Sequence, residues 1–435
     1  MKLIRFDEQF TARLSAIDET PWPTLRFIML QDLRRLTEET LTSQQRTSYF
    51  IELNMRLGKV FRQWARKDTL PALDPELFIQ ACRQITDWPD TDTKLWLETA
   101  ICLRLIRLGA IDKLIEFLRE QYSVHIDQEE FPASPLQVAK WLDQLDGKIP
   151  AALLDQLRKY EDLPQFKSSH RTVNGLFVLQ SGEYSVGAIA EISLEKVTVS
   201  DKLAIDQVRI ATHLVDESDV ISQQTRAVCI YLREKYHKRN EGRLRLEYSL
   251  NQPSSLLVGG SAGLAFALLG QMGLYAYQHN HTFEPRVYQD VAFTGTIDEK
   301  GNVLPVSASS FKDKIEAAFF GNIRTVIIPQ SQGKIVKKVL ADLGKSYPNR
   351  PLNIIAISTM DELSNHREVL HYQRRKVASR LNQFVHDYAN SVTLMILGFV
   401  VLAAAGFWFG VVKNSVPVAI KDVEINHIHH AEVKN

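Results

Sequence analysis

The stretch Ser254–Gln271, SSLLVGGSAGLAFALLGQ, decides how this sequence is interpreted. Gly259 and Gly260 carry no Cβ, so the backbone can approach a ligand closely at these positions. Ser261 follows them at the predicted start of an apolar helix. A helix N-terminus presents unpaired N–H groups and a partial positive charge. The stretch therefore predicts either a nucleophilic serine beside an oxyanion site or a plain serine N-cap, which is the commoner case for such a turn.

The composition is that of an ordinary globular protein with two or three domains. The chain has 435 residues, of which 45% are hydrophobic and 24% are charged. A net charge of +1 argues against nucleic acid as the main partner, because binding to phosphates usually requires a basic excess. Cys82, Cys102 and Cys229 lack paired spacing, so we expect no disulfide framework and no metal site.

The C-terminal part contains a long uncharged run, Val392–Val412, with the sequence VTLMILGFVVLAAAGFWFGVV. A membrane-spanning helix needs about 20 apolar residues, so this run predicts a single transmembrane helix in contact with lipid. Four basic residues lie between 374 and 380, before the run. The positive-inside rule then predicts cytoplasmic N-terminal domains, at a bacterial inner membrane, and a short outer tail over 413–435.

Residues 1–165 predict an all-helical domain. Its best segment is Asp92–Leu108, with a broad apolar stripe, an acidic cap and Gly109 as a stop. A second helix over Ile111–Tyr122 follows at once, which predicts a helical hairpin. We expect this domain to be a recognition or regulatory domain, although its residues do not indicate what it binds.

Residues 170–362 predict an α+β domain that follows a polar connector. Leu203–Tyr236 is interpreted as one or more helices, Phe311–Phe320 as another, and His366 begins a basic helix over 366–390. The predicted strands are 175–179, 186–193, 244–250, 290–297, 302–306, 325–329 and 353–357. The expected fold is therefore an all-α domain, an α+β domain and a C-terminal transmembrane helix.

A serine nucleophile needs a neighbouring base at neutral pH. Four histidines of this domain, His213, His237, His279 and His281, have no diagnostic neighbourhood. A lysine can serve if burial lowers its pKa. Lys312 and Lys314 both lie in a predicted helix, about 200° apart around its axis. For either lysine alone, a solvated surface role is the commoner case.

Five motifs in order resemble the proteolytic domain of the Lon family over roughly residues 170–360. The motifs are Val-Gly-Gly-Ser261-Ala-Gly, Asp290-Val-Ala-Phe-Thr-Gly295, Gly301-Asn-Val-Leu-Pro-Val306, Phe311-Lys-Asp-Lys-Ile-Glu-Ala-Ala318 and Ile323-Arg-Thr-Val-Ile-Ile-Pro329. That family uses a Ser–Lys dyad. Its serine lies in Pro-Ser-Ala-Gly, and its lysine lies in Gly-Gly-Leu-Lys-Glu-Lys.

The resemblance implies roles for individual residues. It makes Ser261 the nucleophile and Lys312 the base. The threonine of the family's Thr-Gly pair supports the dyad by hydrogen bonding, which points to Thr294. Gly260, with Gly259 before it, then belongs to the oxyanion loop.

The sequence departs from the family pattern at several positions. Val258-Gly-Gly replaces the family's Asp-Gly-Pro, and Ser309-Ser310 replaces its Gly-Gly. Thr296 replaces an acidic residue, and Leu179-Gln180 replaces a Thr-Glu pair. These changes concern regulation and substrate fit. They leave Ser261 and Lys312 in place.

The sequence therefore predicts a membrane-anchored, ATP-independent, Lon-like serine endopeptidase without a cofactor. It contains no Gly-x-x-x-x-Gly-Lys-Ser/Thr phosphate loop, so we expect unfolded segments or a dedicated protein as substrate. The resemblance implies a homo-oligomeric ring, with a hexamer as the candidate. The alternative is an inactive or gated Lon-like scaffold or sensor whose helical domain binds a partner.

Overall fold

The computed structural model describes residues 2–85, 88, 90–124, 141–159, 171–200, 203, 205–210, 220–236, 242–251, 261–278, 283–363, 365–374 and 402. The described residues up to 278 and from 284 to 373 belong to one compact unit. This unit contains both the helical region and the α/β domain.

The N-terminal region is helical, as predicted. Two N-caps are formed by aspartates, because the Asp74 carboxylate accepts from Glu76 N and the Asp90 carboxylate from Thr93 N. Gly109, with φ of 64°, ends the predicted hairpin's first helix in the left-handed conformation that favours glycine. The helices are α1 Lys2–Glu19, α2 Pro23–Thr40, α3 Ser43–Lys67, α4 Pro75–Gln84, α5 Thr91–Arg107, α6 Ile111–Tyr122 and α7 Ala151–Arg158.

An aromatic cluster forms the centre of this helical region. Phe27 stacks on Phe78 with their ring centroids 5.3 Å apart, and Trp64 meets both rings edge-on. All three side chains are buried. Large buried aromatic side chains contribute most to the stability of such a core, so Trp64 is a core residue.

The second region is built on a seven-stranded mixed sheet. Its strands are β1 Thr172–Ser181, β2 Tyr184–Ser200, β3 Gln207–Ile210, β4 Arg243–Leu250, β6 Val291–Phe293, β9 Thr325–Pro329 and β10 Asn353–Ile357. Their order is β10-β9-β6-β1-β2-β4-β3. The β1–β2 and β2–β4 pairs are antiparallel, whereas the β1–β6, β6–β9, β9–β10 and β3–β4 pairs are parallel.

Helices and short strands complete the α/β domain. The helices are α8 Val220–Tyr236, α9 Gly263–Gln278, α10 Ala308–Phe320, α11 Gly333–Ser346 and α12 Met360–Leu363. The short strands β5 Phe283–Val287 and β11 Leu370–Arg374 pair with each other. The strands β7 Thr296–Ile297 and β8 Val303–Leu304 form a small hairpin.

The sheet is covered on both faces next to β1. The Leu176 side chain packs in one cluster with Phe311 of α10, whereas the neighbouring Phe177 packs in another with Leu264 of α9. Successive side chains of a strand point to opposite faces. Helices α9 and α10 therefore lie on opposite sides of β1, which explains why the first eight residues of this strand are all buried.

Three predicted elements differ from the structure. Gln207–Ile210 forms strand β3 and not a helix, because it pairs with β4. The strand predicted over 290–297 is interrupted at Thr294–Gly295, between β6 and β7. A helix is predicted from His366, but residues 366–369 are not helical and Leu370–Arg374 is strand β11; residues 375–390 lie outside the described residues.

The prediction of a membrane anchor is corrected. A membrane span requires an apolar helix of about 20 residues. None of the helices in the described ranges combines that length with that apolar character. The transmembrane helix at Val392–Val412, its lipid contact and the membrane localisation are therefore not upheld. Apart from Leu402, that range lies outside the described residues.

Candidate active site

Ser261 lies at the turn that leads into α9, and its side chain is buried. Only 2% of the residue is exposed, and its Oγ donates to the Leu176 carbonyl of β1 at 3.5 Å. Its own carbonyl accepts from Gly295 N at 2.9 Å, and the Gly295 carbonyl accepts from Leu264 N at 3.0 Å. These two backbone hydrogen bonds attach the beginning of α9 to the segment that follows β6.

Gly295 makes the interruption of the strand possible. Its φ of 152° lies in a range that L side chains rarely adopt. A Cβ at this position would also lie 3.3 Å from Val303 Cγ1 and 3.4 Å from Pro329 Cγ. The glycine of the Thr-Gly pair therefore lets the chain leave β6 and contact Ser261 before β7 begins.

Thr294 lies beside Ser261 and has an unpaired hydroxyl. Residues Asn174 and Gly175 of β1 align with Ala292 and Phe293, so the next step places Thr294 beside Leu176. Thr294 is 0% exposed, and its Oγ1 has no hydrogen-bond partner among the residues that the structure describes. A buried unpaired hydroxyl costs about 1–3 kcal/mol. Among the described residues, this hydroxyl is therefore available to a group that enters the site.

Lys314 points into the domain from α10. It is 2% exposed, and within the described ranges its ammonium forms neither an ion pair nor a hydrogen bond. Burial lowers its pKa to about 8, although the neighbouring Asp313 charge opposes this shift. Lys314 lies on the helix face of Phe311 and Ile315, which packs against Leu176 of β1.

Lys312 points away from the sheet. Its side chain is 67% exposed, and Nζ pairs with Glu316 one turn later at 3.5 Å. An exposed pair of this kind contributes little to stability. The structure therefore places the lysine predicted as the base at the surface and brings Lys314 to the buried side of α10.

The apolar spacing around these lysines carried a signal that sequence reasoning missed. Phe311, Ile315 and Ala318 are spaced i, i+4 and i+7, which defines one helix face. Lys314, at i+3, falls on that face, whereas Lys312 falls outside it. A lysine inside an apolar stripe is unusual enough to be a candidate by itself.

Other predicted site residues lie outside the described residues. These are Gly259 and Gly260 of the predicted oxyanion loop, and four histidines of the domain, His213, His237, His279 and His281. In the described ranges, no group of three or more His, Cys, Asp or Glu side chains could hold a metal ion.

Two glutamines hold the β7–β8 hairpin next to this site. The Gln332 side chain donates to the Val306 carbonyl at 2.9 Å and accepts from Val306 N at 3.1 Å. Gln224 of α8 accepts from Ile297 N at 3.1 Å, and a Cβ on Gly263 would lie 2.0 Å from its Oε1. Sequence reasoning missed both glutamines, because a single amide side chain has no local pattern.

The chain is similar to Lon proteases over this part of its length. Residues 259–369 match the family model of the Lon protease (S16) C-terminal proteolytic domain. The Lon protease of Rickettsia felis is 38% identical over 80 residues, which are 18% of this chain and 9% of that protein. That of Azorhizobium caulinodans is 40% identical over 85 residues, 20% of this chain and 9% of that protein.

The Lon protease of Chloroflexus aggregans gives a similar result. It is 36% identical over 77 residues, which are 18% of this chain and 8% of that protein. This chain therefore spans less than a tenth of the length of these curated relatives. The matched range includes Ser261, Thr294, Lys312 and Lys314. These similarities find a Lon-type proteolytic domain in the chain and support a serine endopeptidase.

Proposed function

We propose that this protein is a Lon-like serine endopeptidase in which Ser261 is the nucleophile and Lys314 the general base. The choice of base rests on the burial of Lys314 on the face of α10 that packs against β1. This burial lowers the pKa of Lys314 to about 8. Ser261 Oγ donates to a carbonyl of the same strand. Thr294 would orient the lysine through its unpaired hydroxyl.

The chemistry follows from these positions. Neutral Lys314 Nζ accepts the proton of Ser261 Oγ while Oγ attacks the peptide carbonyl carbon. The resulting ammonium then gives that proton to the leaving amine, which leaves an acyl-enzyme on Ser261. Water hydrolyses this ester in the second half of the reaction, again with Lys314 as base. Backbone N–H groups of Gly260 and Ser261 are the proposed oxyanion donors.

Lys312 is the base that the family motif suggested, and the two lysines differ in what they can do. A base must be neutral to accept a proton, and burial favours the neutral amine. The Lys312 side chain is exposed and pairs with Glu316 at the surface of the domain. Burial therefore supports Lys314, and Lys312 serves as the matched control.

We further propose that cleavage needs no ATP and that the substrates are unfolded segments or flexible loops of proteins. The absence of a phosphate-binding loop from this sequence supports the first point. Self-association into a ring is the expected assembly, in line with the resemblance. Light scattering after gel filtration measures its stoichiometry.

The experiment is casein cleavage with and without ATP by four proteins: wild type, Ser261→Ala, Lys314→Met and Lys312→Met. We expect loss of cleavage in the first two variants and retention, within about threefold, in Lys312→Met. Loss in Lys312→Met with retention in Lys314→Met would restore Lys312 as the base. Cleavage that survives Ser261→Ala would overturn the proposed nucleophile.

A gated enzyme is the second candidate, and the burial of Ser261 favours it. A side chain that is 2% exposed cannot meet a peptide carbonyl without a local opening. A peptidyl boronate, which forms a tetrahedral adduct on serine Oγ, measures that opening. In a gated enzyme, the adduct forms at a rate that becomes independent of boronate concentration. A rate that stays linear in concentration would exclude the gate.

A further inference from the structure

We propose that the N-terminal helical region positions the Lys314 side chain through a connection that runs from Asp32 to Tyr184, Ser185 and Asp313. This inference rests on the proposed role of Lys314 as base. It assigns the helical region a positioning role inside the enzyme, and it makes Tyr184, Ser185 and Asp313 positioning residues for the reaction.

The first contact in this connection fixes Asp313, the residue before Lys314. Ser185 Oγ, near the beginning of β2, donates to Asp313 Oδ2 at 2.7 Å. In a helix, fixing one residue about the helix axis also fixes the direction of the next, which is 100° further around. The Ser185–Asp313 hydrogen bond therefore helps to set the direction in which Lys314 points.

The second contact brings the backbone of α10 onto β2 at the same place. A Cβ at Gly187 would lie 1.9 Å from the Asp313 carbonyl oxygen and 2.8 Å from Ala317 Cβ. Only a glycine allows this approach without a shift of the helix. Ser185 and Gly187 therefore hold α10 at Asp313 from two successive positions on one face of β2.

The third contact joins this part of β2 to the helical region. Tyr184 precedes Ser185, and its hydroxyl donates to Asp32 Oδ2 of α2 at 2.7 Å. Burial and the Asp32 carboxylate raise the pKa of Tyr184 to about 12, so the phenol keeps its proton and remains the donor at neutral pH. Asp32 is also bonded by Arg35 at 2.6 Å. A movement of α2 therefore reaches β2 one residue before Ser185.

The C-terminal end of α10 is also attached to the helical region. Tyr347 packs its ring edge-on against Phe320, with centroids 5.6 Å apart, and donates its hydroxyl to Asp74 of the α4 cap. Lys113 Nζ lies 4.4 Å from the centre of the same ring. Because α10 is attached at Asp313, near its middle, and at its C-terminal end, the helical region limits the rotation of α10 as well as its translation.

The test removes single hydroxyl groups from this connection. Tyr184→Phe and Ser185→Ala each delete one hydrogen bond and leave the packing in place. We expect kcat for casein to fall about five- to tenfold with KM unchanged, because a misplaced base slows the chemical step. We also expect the acid limb of the kcat profile to move, because the surroundings of Lys314 Nζ change. In the double variant the effects should not add, because both act through Asp313.

Two matched controls separate positioning from stability. Tyr49→Phe removes a tyrosine–aspartate hydrogen bond within the helical region, and Ser249→Ala removes a serine–glutamate hydrogen bond on β4. Tyr49→Phe should lower the melting temperature as much as Tyr184→Phe does, and Ser249→Ala as much as Ser185→Ala does. Each variant loses one hydrogen bond, which contributes about 1 kcal/mol. Both should keep the wild-type kcat and acid limb. Equal kinetics in the test and control variants would overturn the inference.

Hydrogen exchange of the peptide spanning 308–320 gives a readout that does not depend on activity. We expect faster exchange in Tyr184→Phe and Ser185→Ala and wild-type exchange in the two controls. If the wild-type protein cleaves nothing, the proposed function fails and the connection is judged by exchange alone. Unchanged exchange in an active enzyme would overturn the connection and leave the proposed function standing.

Discussion

Lys312 and Lys314 lie two positions apart in α10, yet one is solvated and the other is buried. The Lys312 side chain is 67% exposed and bonded to Glu316, whereas Lys314 is 2% exposed. A helix turns 200° over two residues, so one lysine must face solvent when the other faces the sheet. This relationship buries Lys314, and burial lowers the pKa of its amine to about 8.

Activity should rise with pH through the titration of Lys314. Because burial lowers its pKa to about 8, the neutral base forms as the pH passes that value. We expect kcat/KM for a fluorogenic peptide to increase about tenfold per pH unit below 8 and to level off above it. The measurement is a profile of initial rates from pH 6 to 10.

Lys312→Met is the control for this profile and should keep the same acid limb. An acid limb that disappears in Lys312→Met, or one that lies near pH 10, would contradict the assignment of Lys314 as the titrating base.

Replacing the buried ammonium should stabilise the fold. The folded-state pKa of Lys314, about 8, lies below the ordinary lysine value of 10.5. Between these values the unfolded chain holds a proton that the folded protein has released, so wild-type stability rises with pH over this window. Below pH 8 the full penalty applies, on the order of 3 kcal/mol. Lys314→Met should therefore be more stable than wild type at pH 7.

Urea unfolding at pH 7 and at pH 10.5 checks this expectation. The advantage of Lys314→Met should be largest at pH 7 and shrink toward pH 10.5. An advantage of equal size at both pH values would indicate a packing effect and not the titration of the lysine.

Thr294→Val should separate stability from catalysis. Valine has nearly the shape of threonine and removes the buried, unpaired Oγ1. We expect the free energy of unfolding to rise by about 1 kcal/mol. We also expect activity to fall at least tenfold, because the hydroxyl that orients Lys314 is lost. Thermal unfolding and casein cleavage measure the two effects.

Thr294→Ser keeps the hydroxyl and should keep most of the activity. If Thr294→Val cleaves casein as fast as wild type, the hydroxyl has no part in the reaction.

Two glycine-to-alanine substitutions should have opposite effects on stability. At Gly187, the added methyl group meets the Asp313 carbonyl at 1.9 Å, so α10 must move from the sheet. Overpacking of this kind costs about 1–3 kcal/mol. At Gly344 in α11, nothing lies within 4 Å of the added methyl group, and alanine favours the helix by about 1 kcal/mol. Chemical unfolding of both variants tests the pair, and a Gly187→Ala variant as stable as wild type would contradict the close approach.

The sequence by itself determined the parts of the fold that depend on local pattern. The strands at Thr325–Pro329 and Asn353–Ile357 and the helix Ile111–Tyr122 occur with the predicted bounds. Their apolar runs and stop residues act within a few positions of the chain, so they can be recognised without neighbours. The same holds for Ser261 at the beginning of an apolar helix.

Tertiary structure alone decided which strands form or break through pairing with residues far along the chain. Strand β3 forms because it pairs with β4, and strand β11 forms because it pairs with β5. The break at Thr294–Gly295 exists because the backbone there bonds to Ser261 and Ile327 instead of continuing as a strand. Local propensity cannot predict these pairings, since each joins residues far apart in the chain.

The burial of Lys314 and the exposure of Lys312 depend on both the sequence and the tertiary structure. The sequence placed both amines on one helix and fixed the angle between them. Gly187, Leu176 and the helical region attached to α10 decided which face of that helix lies against β1 and β2. Burial, and with it the lowered pKa of one lysine, arises only when those distant surfaces meet.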